Sequence, residues 1–418
     1  MIQRQRGGRR GALVALFLFL TLAPISGLAR GQKTEREEFE QVDPYTKGER
    51  AALDKAGYVA LGPFRVCEKH TSAEMVETLG GGSIIFIETA HFRIASTLES
   101  YKPVGDTVEK ELNAREFAEL KKKFPKLKVP TKIDQWLRAH LYAHRLESLY
   151  ADFWKRFALT DEDFVSLEAK AKAGQFMGVG PYLGQKDKFV VFLSNTRSAL
   201  GRYLRTYVGV EDEYSYRAKF ADCYFYGTNF EALKDNGRDL DIALYTTVAG
   251  AVVQNFLDGF RDSNQAAPEW VRYGLAHWYA RRIDARWNQW NAGGASNPDD
   301  DKKWFWEPRV LGLVKNEAAL TWDEMSAWPN YDAIKAGDHM LAWSRVDWLL
   351  ATRAADARAF LFGISNQVPP GTGPERSKAI LYNEQKAYES IWKQKPADLD
   401  KAWRAWVTKE YPKREPPQ

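Results

Sequence analysis

One predicted helix, Lys132–Phe157, carries two histidines and a glutamate at a spacing that could hold a metal ion. His140, His144 and Glu147 stand at positions i, i+4 and i+7, and residues at this spacing share one helix face. Two imidazoles and a carboxylate on one face could bind a single ion and serve a metal-dependent hydrolase. The same residues also flank an apolar stripe that starts at Trp136, and such residues are more often the polar border of a packing helix.

A second pair of polar residues lies one turn apart on a later predicted helix. Tyr273 and His277 stand at i and i+4, so they could line a groove and bind a ligand through hydrogen bonds. The alternative is a partly buried polar contact that is already satisfied. No nucleophile turn such as G-x-S-x-G occurs, so the sequence gives no Ser/His/Asp set.

The central stretch Ala243–Arg282 predicts two helices joined by a polar loop. Ile242–Leu257 is apolar almost all round, as expected of a helix that is buried on several sides. The second helix opens with Pro268 in its first turn, where the missing N–H costs nothing. Its core face is predicted to consist of Val271, Leu275, Trp278 and Ile283, which recur at helical spacing.

The start of the second helix resembles a motif of zinc metallopeptidases. Pro268-x-Trp270-Val-x-x-Gly274-Leu-Ala276 is similar to the "P-x-W-L-x-E-G-L-A" segment of the gluzincins. It is more closely similar to secreted peptidase-MA-like domains of unknown function. In such proteins an H-E-x-x-H helix lies upstream, and Val248–Gln254 falls at its place in this chain.

The residues that carry the chemistry of that motif are replaced here. Ala249 and Val253 stand at the two His positions, Gly250 at the Glu position, and Tyr273 at the position of the third zinc ligand. A catalytic zinc site needs three side-chain ligands and an open position for water, and Ala, Val and Gly supply no lone pair. We therefore expect no zinc, no other cofactor and no peptidase activity. The alternative is a core helix unrelated to peptidases.

The order of the other predicted elements also resembles the gluzincin layout. Before the central helices these are a strand at Ser83–Ala95 that contains His-Phe-Arg-Ile, a strand at Lys188–Leu193, a helix at Arg197–Tyr207 and a strand at Cys223–Gly227. After them, similar segments occur at Leu320–Met325, Leu341–Leu350 and Tyr388–Tyr411. The resemblance implies an α+β, gluzincin-like fold, in which a small mixed sheet packs on a buried helix and the C-terminal half is mostly helical.

The N-terminus has the pattern of a secretory signal. Four arginines precede the apolar run Ala12–Ile25, and Gly27-Leu28-Ala29 offers small residues for cleavage. The run is short for a membrane span of about 20 residues. The sequence predicts a cleaved signal at residues 1–29, a secreted or periplasmic protein and no stable membrane span; an uncut anchor is the alternative.

The net charge bears on the kind of partner, and the cysteine content bears on whether the chain contains a disulfide. Removing residues 1–29 takes away four Arg and no acid, so the net charge falls from +5 to about +1, which gives no reason to expect a nucleic-acid partner. Cys67 and Cys223 are the only two cysteines. In an exported protein they could form one disulfide.

Together these patterns predict that the chain has five parts. They are a signal at 1–29, a flexible lead-in and short extension at 30–80, a peptidase-like sheet with central helices at 81–290, an inserted loop at 291–303 and a helical subdomain at 304–418. The expected function is that of an exported, non-catalytic pseudopeptidase. It would bind a peptide, protein or glycan in a degenerate cleft, with Trp270, Tyr273 and His277 as candidate contacts. The alternatives are a metal-dependent hydrolase at His140, His144 and Glu147, and a purely structural envelope protein.

Overall fold

The strands of the described chain all precede residue 230, and helices dominate the remainder of the chain. The structure, a computed structural model, describes residues 42–128, 130–164, 178–261, 267–288, 305–365 and 374–414. The strands are β1 (Tyr58–Ala60), β2 (Arg65–Cys67), β3 (His70–Thr71), β4 (Ile85–Thr89), β5 (Phe92–Ser96), β6 (Phe189–Ser194), β7 (Ser215–Lys219) and β8 (Tyr224–Asn229). The helices of the first half are α1 (Arg50–Ala56), α2 (Ser72–Thr78), α3 (Thr107–Lys123), α4 (Gln135–Arg156), α5 (Arg197–Tyr203) and α6 (Phe230–Asp235). Those of the second half are α7 (Asp241–Arg261), α8 (Glu269–Asp284), α9 (Trp306–Lys315), α10 (Trp322–Ser326), α11 (Ala336–Thr352), α12 (Ala357–Ser365), α13 (Pro374–Ala387) and α14 (Pro396–Glu410). The fold is α+β, as the sequence predicts.

Six of the strands form one mixed sheet in the order β1-β4-β5-β6-β8-β7. The inner pairs β5–β6 and β6–β8 are parallel, whereas β1–β4, β4–β5 and β7–β8 are antiparallel. Strands β4, β6 and β8 are buried along their whole length, as expected of strands covered on both faces. Strand β7 lies at the open edge beside β8.

The alternation of side chains along the strands divides the core into two layers. On one face Phe86, Phe192 and Phe225 share a cluster with Leu200 and Tyr203 of α5. On the other face the rings of Phe92 and Phe189 pack against Phe256 of α7, at centroid distances of 6.2 Å and 5.1 Å. The sheet therefore packs on a buried central helix.

Helix α8 packs tightly against both α7 and α11. A Cβ atom added at Gly274 of α8 would lie 2.5 Å from the carbonyl oxygen of Ala342 and 2.6 Å from Cγ2 of Val346. Only glycine leaves room for such an approach of two helix backbones. This contact joins the sheet-bearing part to the helical C-terminal part, and both belong to one compact unit, Glu40–Gln418.

Two sequence-based predictions about the N-terminal part are corrected. The single strand predicted at Ser83–Ala95 is a hairpin, because the chain turns at Ala90-His91 and β5 pairs back on β4. The predicted lead-in at 30–80 is well folded where the structure describes it, since it contains α1, α2 and three strands. Its Asp43 is only 2% exposed.

The two cysteines do not form the predicted disulfide. Both are free and buried, and they belong to the same core cluster. The sulfur of Cys67 lies 3.2 Å from Nδ1 of His70. Burial raises the pKa of the Cys67 thiol to about 11, so this thiol is protonated at neutral pH.

Two predicted segments lie outside the described residues, namely the signal at 1–29 and the loop at 291–303. Within the described part of the chain, every helix is too short or too polar to cross a membrane.

Candidate functional site

A cleft of about 360 Å³ opens where β7 and β8 meet α7 and α8. Strands β7 and β8 contribute Ser215, Tyr216, Arg217 and Tyr226. Helix α7 contributes Thr246, Thr247, Gly250, Ala251 and Gln254, and helix α8 contributes Tyr273, Ala276, His277 and Ala280. Asn288 and Tyr331 complete the wall. The volume lies within the range of about 300–1,000 Å³ that is typical of small-molecule sites.

The register of the sheet places the strand residues at the cleft. Arg217 of β7 stands directly opposite Tyr226 of β8, and Tyr226 stands opposite Val191 of β6. Residues that face each other across a ladder point to the same side of the sheet. Val191 lies two residues after Phe189, whose ring packs on Phe256 of α7, so the two share one face of β6. Arg217 and Tyr226 therefore lie on the face that packs against α7.

The cleft-facing positions of α7 differ by one residue from those that the sequence predicts. Ala249 and Val253, predicted at the two His positions, are fully buried and lie outside the cleft wall. The cleft is lined instead by Gly250, Ala251 and Gln254, which have the i, i+1, i+4 spacing of an H-E-x-x-H motif. Gly and Ala offer no metal ligand at these positions, and Gln254 offers only an amide.

Arg217 is the only charged side chain on the cleft wall among the described residues, and each of its three guanidinium nitrogens has a partner. Nε donates to Oδ1 of Asn255 at 2.8 Å, and Nη1 donates to Oε1 of Gln254 at 2.5 Å. Nη2 forms an ion pair with Asp258, whose side chain is 2% exposed. The wall therefore presents no uncompensated charge to a ligand.

A chain of hydrogen bonds leads from the cleft into the helical half. Oδ1 of Asn288 lies 3.0 Å from Nδ1 of His277, and Nε2 of His277 lies 2.9 Å from Nδ1 of His339. With the Asn288 oxygen as acceptor, His277 donates from Nδ1 and accepts at Nε2 from the N–H of His339. Burial lowers the pKa of His277 to about 4 and that of His339 to about 2, so both rings of this chain are neutral near pH 7.

The alternative metal site at His140, His144 and Glu147 is not formed. Both ring nitrogens of His140 are occupied, Nδ1 by the hydroxyl of Tyr58 at 2.8 Å and Nε2 by Asp43 at 3.0 Å. Glu147 is held by His91, whose backbone N–H and Nδ1 lie 2.9 Å and 2.7 Å from its two oxygens. Among the described residues no three His, Cys, Asp or Glu side chains are placed to share an ion.

Of the three predicted ligand contacts, the cleft contains two. Tyr273 and His277 line it, whereas Trp270 is fully buried and lies outside the wall. The indole N–H of Trp270 donates to Oε1 of Glu384 at 2.7 Å, so this residue stabilises the helical half. The prediction for Trp270 is therefore wrong.

Comparison of the chain with protein-family models, with curated proteins and with solved structures finds no match. What the cleft binds therefore has to be inferred from its own side chains. Sequence reasoning missed Arg217 and Asn288, which reach the wall from an edge strand and from the end of a helix. The half-exposed strand Ser215–Lys219, with no apolar run, gives no sign of this role.

The buried histidines predict a loss of stability in mild acid. Burial lowers the pKa of His70, His144 and His277 to about 4, and it lowers that of His339 as well. The unfolded chain, with His pKa values near 6.5, binds more protons than the folded chain between these two values. We expect the free energy of unfolding to be highest above about pH 7 and to fall as the pH drops from about 6.5 towards 4.

Urea unfolding at several pH values measures this decline. The variant His277→Gln, which retains hydrogen-bonding capacity toward Asn288, should decline less steeply because one buried imidazole is gone. A free energy of unfolding that stays constant from about pH 7 to pH 5 would contradict the assignment of neutral, buried histidines.

Proposed function

We propose that the protein is an exported, non-catalytic pseudopeptidase that binds a ligand in the cleft between β7, α7 and α8. The single observation that carries this proposal is an open cleft whose wall has no metal ligand at the i, i+1, i+4 positions of α7. The sequence resemblance to gluzincins supplies the motif frame on the same two helices. A cleft that has lost its catalytic side chains yet remains open supports binding as its function.

The two rival functions fit the geometry less well. A hydrolase at His140 would need imidazole nitrogens free to bind metal, and both are already hydrogen-bonded. A purely structural protein would be expected to fill the space around Tyr273 with its own side chains. Instead the small residues Gly250, Ala251 and Ala276 leave the cleft open at that point.

A variant of the mature protein whose cleft is partly filled by a larger side chain tests the proposal. Ala251 lines the cleft, so Ala251→Phe should fill part of the space that a ligand needs. Wild-type protein and this variant would be applied to one array of peptides and glycans, with circular dichroism and the melting temperature as checks of folding. We expect ligands that bind the wild type and are lost on substitution.

The zinc content and the proteolytic activity of the purified protein provide results that could contradict the proposal. The purified protein should contain no stoichiometric zinc before or after dialysis against the metal, because the cleft has too few ligands. Zinc-dependent, chelator-sensitive proteolysis that disappears in Tyr273→Ala would refute the proposal. Identical array binding by the wild type and Ala251→Phe would refute the location of the site.

A further inference from the structure

The cleft wall combines neutral hydrogen-bonding groups with aromatic rings, and this combination narrows the ligand class. Resting on the function proposed above, we propose that the cleft binds an uncharged, hydroxyl-rich carbohydrate unit. Three properties of the wall support this ligand class: its charge, the direction of its hydrogen bonds, and its shape.

The charges of the wall favour an uncharged ligand. Each nitrogen of Arg217 already has a partner, namely Asn255, Gln254 or Asp258. An anionic ligand would compete with Asp258 for Arg217, and weakening the pairing of that buried carboxylate is costly. A cationic ligand would meet no carboxylate, since none belongs to the described wall, and His277 is neutral near pH 7 because burial lowers its pKa to about 4.

The amide groups of the wall are fixed with their N–H groups available as donors. Arg217 can only donate, so the end of Gln254 that faces it is the oxygen, and Nε2 is left for other partners. Asn288 is held in the same way through its oxygen by His277, and its Nδ2 is buried and has no hydrogen-bond partner among the residues that the structure describes. The side chain of Asn288 is more than nine-tenths buried. Gln254 therefore offers the cleft a donor whose acceptor end is already used, and Asn288 holds a second donor that is buried and without a partner among the described residues.

Hydroxyl groups suit such a wall better than peptide groups. The hydroxyls of Thr246 and Thr247 donate to the carbonyl oxygens of Ile242 and Ala243, at 2.8 Å and 3.0 Å. A sugar hydroxyl can rotate to accept from the amides or to donate to these threonine oxygens. A peptide N–H can only donate, so on this wall it is limited to oxygens such as those of the threonines, whereas a sugar hydroxyl can use either kind of group.

The rings of the wall suit the flat, partly apolar faces of a sugar. The rings of Tyr226, Tyr273 and Tyr331 belong to residues that line the cleft. The rings of Tyr273 and Tyr331 are neighbours, with centroids 5.1 Å apart and planes inclined by 42°. Aromatic side chains present a large apolar surface with a polar tip, and the volume of about 360 Å³ fits a small ligand such as a mono- or disaccharide unit.

The test is calorimetric titration of the mature protein with small, defined probes. The neutral saccharide probes are maltotriose, cellotriose and triacetylchitotriose. Trigalacturonate is the charged probe, and N-acetyl-trialanine amide is the peptide probe, because β7 is an edge strand that could pair with an extended peptide. We expect at least one neutral saccharide to bind, and trigalacturonate and the capped peptide to bind more weakly than that saccharide.

The variant Gln254→Glu removes the donor and retains the oxygen that accepts from Arg217. It should weaken saccharide binding about tenfold or more, the effect of losing one hydrogen bond and placing a negative charge in the cleft. Gln394→Glu is the matched control, since Gln394 also accepts from an arginine, Nη2 of Arg353 at 2.6 Å, and lies outside the cleft wall. This control should bind like the wild type.

Three outcomes would overturn the inference. The first is the absence of binding by every neutral saccharide at about 10 mM, which excludes even weak recognition. The second is tighter binding of the capped peptide, which leaves the pseudopeptidase proposal standing and changes the ligand to a peptide. The third is trigalacturonate binding as tightly as the neutral probes. Failure of the proposed function itself would appear separately, as zinc-dependent, chelator-sensitive proteolysis that disappears in Tyr273→Ala.

Discussion

Replacing Asp241 by Asn is expected to lower the free energy of unfolding by about 3–5 kcal/mol, the usual cost of removing one partner from a buried ion pair. Asp241 is the first residue of α7 and is fully buried. Its Oδ1 accepts from Nε of Arg138 at 2.7 Å, and its Oδ2 accepts from Nη1 of Arg145 at 2.6 Å. The substitution would leave two buried guanidinium groups around a neutral amide.

The network around Asp241 extends to α3 and fixes where the central helix begins. Glu116 pairs with Arg145 at 2.9 Å, and Glu109 accepts the backbone N–H of Ile242 at 3.0 Å. Burial alone would raise the pKa of Asp241, but Arg138 and Arg145 outweigh this effect and hold the pKa below its ordinary value. The stabilisation is therefore present above the unfolded pKa of about 3.9 and is lost as the pH falls further.

Urea unfolding at neutral pH compares Asp241→Asn with the wild type. Asp239→Asn is the matched control, because it makes the same chemical change at a residue that is exposed to solvent and lies two positions earlier in the chain. The control should shift the free energy of unfolding by no more than about 0.5 kcal/mol. Equal effects of the two substitutions would show that the buried pairs do not anchor α7.

Replacing Gly274 by Ala is expected to destabilise the protein by about 1–3 kcal/mol or more, although Ala is the better helix former. The new methyl group would lie 2.5 Å from the Ala342 oxygen, which belongs to a helix backbone and cannot rotate away. The helices α8 and α11 would have to separate, and apolar contacts between them would be lost.

Gly250→Ala supplies a control of opposite sign. A Cβ atom at Gly250 of α7 would meet the Ala276 oxygen at 3.7 Å and Cβ of Ala280 at 3.8 Å, which are ordinary contacts. The substitution should therefore raise the free energy of unfolding by about 0.5–1 kcal/mol through helix propensity. Thermal unfolding of both variants measures the sign of each change in stability. A stabilising Gly274→Ala would contradict the close approach of α8 and α11.

Long elements with a strong pattern could be predicted from the sequence. The helix predicted at Lys132–Phe157 is observed at Gln135–Arg156, where Asp134 caps its start by accepting from the N–H of Leu137. The strand predicted at Lys188–Leu193 is observed at Phe189–Ser194. Sustained periodicity or a continuous β-branched and aromatic run identifies such elements because the pattern reflects what each face must bury.

Short turns and edge strands escaped prediction for a physical reason. The hairpin between β4 and β5 turns at Ala90-His91, without the Gly, Asn or Pro that usually mark a turn. Strand β7 is half-exposed along its length, so it has neither an apolar run nor a clear alternation. Its structure comes from pairing with β8, a contact that local sequence does not encode.

The sequence by itself determined that α7 is a buried helix and that its central positions carry no zinc ligands. Only the tertiary structure decided which of its sides meets the cleft. A helix that is apolar all round has no polar stripe to fix its rotation in advance, and a shift of one residue turns the helix by about 100°. The packing of Phe256 on the sheet and the ion pairs of Asp241 set that rotation. They turn Gly250, Ala251 and Gln254 toward the cleft, and Arg217 reaches the same space only because β7 pairs with β8.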